Sequence, residues 1–195
     1  KVIYDINPDE KLYKLDDVAK IITGETKRNV INGKYLLKEN FSTSLFDTTD
    51  AEKEHGISEK PYDFRRVVNE PCVVTNNSFS KYYIKTDNEP VNVAFPWRVY
   101  KINEQLCLSE YFVYKMREIY NNSLKGSGML FASDIDYIPL YPLESQKNIL
   151  ERARRKEQNV LLEKLRRLHY LGDMSSDLLH NLGVIFSRIG CSAAS

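Results

Sequence analysis

Four short stretches combine side chains that can hold a phosphate with side chains that can read the edge of a base. They are Lys27-Arg28-Asn29, Arg65-Arg66, Asn76-Asn77-Ser78 with Lys81, and Lys125-Gly126-Ser127. Lysine and serine suit phosphate oxygens, arginine offers a fork that bonds guanine twice, and an asparagine amide does the same for adenine. Gly126 lets a backbone approach a phosphate closely. Each stretch by itself equally fits a solvated surface loop, so the argument rests on the set and not on a single member.

Chemistry beyond binding has little support. The chain holds no G-x-S-x-G, no Walker-type G-x-x-x-x-G-K and no G-x-G-x-x-G. Asn7-Pro8-Asp9-Glu10 is as near as it comes to the Asn-Pro-Pro-Tyr box of adenine methyltransferases. Asp134 and Asp136 alternate along a strand-like run and could mimic a metal pair, although Asp134 fits a turn cap better. His55, His169 and His180 show no ligand spacing. The run Asp177–Leu182 (DLLHNL) vaguely resembles the phosphoacceptor helix of sensor histidine kinases, but Val184-Ile185 stand where that family has proline. His180 is therefore expected to be a surface or interface histidine. No catalytic residue, metal or cofactor is expected.

The totals agree with a binding protein of balanced charge. The 195 residues carry 28 Lys plus Arg against 27 Asp plus Glu, so a cationic face would have to be local. With 42% hydrophobic residues a sizeable core is available, and disorder is excluded. Cys72, Cys107 and Cys191 are sparse and unpaired in spacing, which reads as reduced thiols. No apolar run suits a membrane span and no signal peptide is visible, so a soluble cytoplasmic protein is expected. The Asn-x-Ser triplets at Asn40, Asn76 and Asn121 are then chance matches.

The elements that must position these residues change character at Pro142. All seven prolines lie at or before it, among short apolar runs and polar turns. Residues 14–23 (KLDDVAKIIT) place Leu15, Val18, Ala19 and Ile22 at helical spacing, with Gly24 as a stop. Strands are expected at Val67-Val68, at 72–75, at 81–85 and along 91–102, where Pro96 implies an edge or a bulge. Residues 108–119 return to helical spacing with Ser109 as the cap, and 135–140 form one more strand. Residues 38–64 read as a long surface excursion. Tyr82, Tyr83, Tyr111 and Tyr114 are expected in the core rather than stacked on bases.

From Pro142 to about Leu171 the spacing predicts one helix, roughly 45 Å long. Ile149 and Ala153 begin an apolar seam that Leu161, Leu165 and Leu168 continue in a 4-3 step, as in a coiled coil. The basic run 152–156 reads as a wet helix face. After Gly172-Asp173, a second amphipathic segment carries Leu178, Leu182, Ile185, Phe186 and Ile189.

The run Asp134–Leu150 (DIDYIPLYPLESQKNIL) resembles the end of a target-recognition domain in type I restriction–modification specificity subunits. There a short strand ending in Pro-Leu-x-Pro-Leu-Glu-x-Gln leads into a long spacer helix. Three further stretches keep the family's order: Tyr13–Gly24, Arg98–Met116 with its Tyr-rich helix, and Lys125–Gly128 followed by Ala132–Ile135. The resemblance spans roughly residues 12 to 170. It departs at Ala94-Phe95-Pro96-Trp97, where the family often has Gln-Asn, and from Asp173 onward. A whole subunit is about twice this long, with two recognition domains and two helices.

The resemblance implies an α+β fold: a strand-rich recognition domain over residues 1–141 with short peripheral helices, then a helical dimerisation and spacer region over 142–195. It implies a specificity component that is not itself an enzyme, reading one half of a split double-stranded DNA target. Its partners would be a methyltransferase subunit, possibly a restriction subunit, and a second copy of itself or another recognition half. The alternative is a non-DNA interaction or signalling scaffold dimerising through its C-terminal helices.

Overall fold

A computed structural model describes residues 2–22, 25–27, 34–36, 40–45, 56–57, 65–94, 96–124 and 131–170. The side chains of 25–27, 34–35, 56–57, 65–66, 124 and 168–170 are not part of that description. Compactness divides the chain after Arg154, about three turns into its last described helix.

The first unit is built on three sheets. Strand β1 (Lys11–Lys14) pairs antiparallel with β11 (Tyr137–Leu140), Lys14 opposite Tyr137. A single helical turn, α1 (Leu15–Val18), follows β1, and the chain then straightens into β2 (Ala19–Ile21). The helix expected to reach residue 23 therefore stops at Val18. Lys20 and Ile21 pair with Lys101 and Tyr100 of β10 (Arg98–Ile102), and the Val18 carbonyl accepts from the Asn103 amide at 2.8 Å. Sheet pairing overrides the local helical spacing, although Leu15 and Val18 still turn inward as that spacing requires.

Four strands form an antiparallel sheet in the order β2-β10-β7-β8, with β7 at Cys72–Thr75 and β8 at Tyr82–Lys85. Five more form a sheet in the order β3-β6-β9-β4-β5: Glu25–Lys27, Arg65–Val68, Val91–Ala94, Lys34–Tyr35 and Gly56–Ile57. In it only β4 and β9 run parallel. The run 91–102, expected as one interrupted strand, is two strands in two different sheets. The exposed Pro96 lies in the corner between them, where Trp97 N donates to the Ala94 carbonyl at 3.2 Å. A proline there removes no ladder bond.

Strand periodicity explains why β7 is buried at every position. Val73, Tyr82 and Tyr100 face one core with Leu15, Phe79, Phe112, Met116 and Ile138. Cys72, Val74, Tyr83 and Val99, their sequence neighbours, face a second core with Val68, Val91 and Val93. The four-stranded sheet is thus covered on both sides, and alternate residues serve alternate cores. Residues 40–45, assigned to a surface excursion by their polarity, belong to this packing. Asn40, Phe41, Ser42 and Leu45 are buried, Ser42 and Tyr82 exchange backbone bonds, and Phe41 stacks on Trp97 at 3.8 Å. The remainder of 38–64, apart from β5, lies outside the described residues.

Helix α2 (Ser109–Leu124) covers the first core with Tyr111, Phe112, Met116 and Ile119. Its cap is Leu108, not Ser109: the Leu108 carbonyl accepts the first helical bond from Phe112 N at 2.8 Å. A 3₁₀ turn (Ala132–Asp134) precedes β11, and Asp134 Oδ2 accepts from Phe131 N at 2.8 Å, the capping role its position suggested. Helix α3 (Leu143–Tyr170) then begins, with Leu150 in the first core.

In the second unit the described residues are the rest of α3. Leu165 is buried, Leu161 is half-buried and Val160 is exposed. Leu168 lies in the helix without a described side chain, and the second amphipathic segment, His180 and Cys191 lie outside the described residues.

Candidate nucleic-acid interface

The register of the two larger sheets brings several of the predicted cations to one end. Lys27 is the Cα partner of Arg65, and Arg65 is the partner of Ala94 at the end of β9. After the corner at Pro96, Arg98 opens β10 opposite Thr75, the last residue of β7. The turn Asn76–Lys81 follows directly. Lys27, Arg65, Arg98 and the β7–β8 turn thus share one rim, although they are drawn from positions 27 to 98 of the sequence.

Arg98 is the member that loop composition did not reveal, because it lies inside a strand. Its side chain is half-buried and hydrogen-bonds Tyr100, whose hydroxyl pKa is raised by burial against the opposing pull of Arg98. Its only sequence signal is its place after Pro96-Trp97.

The β7–β8 turn is fixed in detail. Asn76 Oδ1 accepts from Lys81 N at 3.1 Å, and Asn76 Nδ2 donates to Ser80 Oγ at 2.9 Å. Thr75 Oγ1 donates to the Lys81 carbonyl at 2.9 Å. Asn77 Oδ1 accepts from Ala132 N at 3.1 Å, so the turn is tied to the 3₁₀ turn before β11. Lys81 is exposed. Arg28, Asn29, Lys125 and Ser127 lie outside the described residues, and the side chains of Lys27, Arg65 and Arg66 are not described. Arg66 pairs with Thr26 and Val93 in the same ladder.

Lys85 pairs with Asp87, Lys101 with Glu70 at 2.5 Å, and Arg154 with Glu110. Arg154 Nε also donates to the Leu45 carbonyl at 3.1 Å, so this member of the basic run is a bracing residue and not part of a wet face. At the opposite end of the four-stranded sheet, Asp16, Asp17, Glu104, Lys20 and Lys101 line an open groove of about 920 Å³ with mixed charge.

The junction Pro-Leu-Tyr-Pro-Leu-Glu-Ser-Gln has a structural role that sequence reading did not assign. Its last residue, Gln146, is wholly buried. Gln146 Nε2 donates to the Leu106 and Tyr141 carbonyls, each at 2.8 Å, and Oε1 accepts from Leu108 N at 3.0 Å. One amide thus joins the start of α3 to the start of α2.

No family model matches the sequence, and no curated protein matches it. Among solved structures, the HsdS subunit from Thermoanaerobacter tengcongensis superposes with a TM-score of 0.55 at 14% identity, over 95% of this chain and 46% of that one. A chain from a structure of complex assembly and conformational transition of the type I R-M system gives 0.54 at 16% identity, with the same coverage. The fold is HsdS-like. The expected α+β architecture followed by a long helix is therefore present, and the chain spans just under half of the HsdS length. Among the described residues no group of three His, Cys, Asp or Glu could hold a metal, and no helix is long and apolar enough to cross a membrane.

Proposed function

We propose that the chain is a sequence-specific DNA recognition half-subunit of a type I-like restriction–modification system. The observation that carries this reading is the extent of the HsdS likeness: 95% of this chain against 46% of the other, with α+β sheets before one long helix. The cationic rim of Lys27, Arg65, Arg98 and the β7–β8 turn supports it, and Arg28, Asn29, Arg66, Lys125 and Ser127 are the further DNA contacts in this reading. The domain reads one half of a split target. Helix α3 pairs antiparallel with a second such helix through Ile149, Ala153, Leu161, Leu165 and Leu168, acting as a spacer and as the docking surface for methyltransferase subunits. Two copies related by a two-fold axis prefer a palindromic split site. Methylation and cleavage belong to the partner subunits.

Selection of the purified chain against random duplex DNA at moderate salt tests this reading. Enrichment of a short motif, or of two inverted copies at fixed spacing, is the expected result. Absence of any enriched motif with a methyltransferase subunit also present overturns it in favour of a protein-binding scaffold.

A further inference from the structure

The two asparagines of the β7–β8 turn carry the residue type that reads adenine, yet both commit their amide oxygens to backbone N–H groups. Asn76 places Oδ1 on Lys81 N and Nδ2 on Ser80 Oγ, and Asn77 places Oδ1 on Ala132 N. Bidentate reading of adenine requires amide oxygen and nitrogen to face the groove together. The turn instead presents Lys81 and Ser80, both exposed, with Ser78 Oγ 2.8 Å from Ser80 Oγ.

The scaffold beneath is stiff. Phe79 sits at φ 57° with its ring wholly buried against Phe112 and Tyr100, a backbone conformation that a bulky residue keeps only where packing holds it. Arg117 of α2 donates from Nε to the Phe79 carbonyl at 2.9 Å and lies 5.8 Å from the Tyr82 ring centroid, placing a second positive charge behind the tip. A fixed tip with an exposed ammonium and an exposed serine, and with its amide oxygens already bonded, suits phosphate oxygens and not base edges.

We infer that the turn Asn76–Lys81 grips the sugar–phosphate backbone through Lys81 and sets the domain's register on the duplex without reading a base. This inference rests on the DNA-recognition reading. Asn76 and Asn77 serve it by holding the turn's shape, and base reading falls to other residues of the rim.

The test compares the full chain with its Lys81→Ala variant, first by random-duplex selection and then by affinity for the selected duplex and a scrambled one across salt. Because Lys81 is exposed, an unchanged urea midpoint is the folding control. The variant should bind every duplex more weakly by a similar factor, with the selected motif unchanged and the log–log salt slope shallower by about one. The ratio of wild-type to variant affinity should shrink about threefold between about 50 and about 200 mM salt. A motif altered at one base position, or an unchanged slope, overturns the inference while leaving DNA recognition standing. A wild-type chain that selects no motif even with a methyltransferase subunit present overturns both.

Discussion

The carboxamide of Gln146 accepts the Leu108 amide proton across 38 residues of sequence, at 3.0 Å, in a wholly buried position. Leu108 is the cap of α2 and Gln146 lies in the first turn of α3, so one side chain sets the junction between the two helices. The same amide satisfies the Leu106 and Tyr141 carbonyls. A glutamate could accept from Leu108 but could not donate to both carbonyls.

Replacing Gln146 therefore costs more than its size implies. Gln146→Leu strands one donor and two acceptors in the interior, at about 1–3 kcal/mol for each group left unmet. The expected total loss is about 3 kcal/mol or more in urea denaturation, with Gln146→Glu also destabilising. A loss under about 1 kcal/mol would show that water replaces the bonds.

Lys115 and Glu10 form a buried ion pair at 2.6 Å, with Glu118 at 2.9 Å from the same ammonium. Glu10 Oε2 accepts from Asn7 N, so the pair anchors the N-terminal segment to α2. Lys115→Met leaves a buried carboxylate uncompensated and should cost about 3–5 kcal/mol, part of which Glu10→Gln restores in the double variant. Glu118→Gln, at the exposed end, should cost less than about 1 kcal/mol. Equal costs for the two single variants would contradict the burial difference.

Stability should decline in alkali. Burial pushes the Cys72 thiol up from 9.0 to about 12, with Lys85 opposing the shift, and burial likewise raises Cys107 and Tyr111. Between pH 9 and about 12 the unfolded chain has released the Cys72 proton that the folded chain retains, so unfolding gains as pH rises through that window. Lys115 acts with the same sign. Burial lowers its pKa, but Glu10 and Glu118 outweigh burial and raise it, so its contribution is present below the ordinary lysine value and lost above the raised one. The urea midpoint should hold to about pH 8.5 and fall thereafter, less steeply in Cys72→Ala. A midpoint flat to about pH 11 would contradict the buried thiol.

Leu165 tests the helix seam. Leu165→Asp should abolish self-association in sedimentation while the near-ultraviolet circular dichroism of the tyrosine-rich first unit stays unchanged. Because Leu165 is already buried, a local loss of helix in the second unit is expected as well. An unchanged oligomer removes the seam from the mechanism.

Much of the chain is legible from local sequence because it obeys local rules. The strands at 72–75 and 82–85, the capped turn at Asp134 and the helix from Leu143 all follow from residue type and spacing. The spacing at 14–23 misled because Leu15 and Val18 point inward in a helical turn while Lys20 and Ile21 bond to β10, and only the neighbouring strand decides between the two states. Polarity at 40–45 misled for a similar reason: Asn40 and Ser42 are buried where the sheet supplies backbone partners.

By itself the sequence determined the fold class, the strand-rich domain before a long helix, and the types of side chain offered as candidate contacts. Only the tertiary structure decided which of them meet. Register carries Lys27 to Arg65 and Arg98 to the β7–β8 turn, and a hydrogen bond from Ala132 turns Asn77 toward the protein. Spacing along a chain sets which face a residue occupies. What that face meets depends on pairing between segments far apart, and no local pattern encodes it.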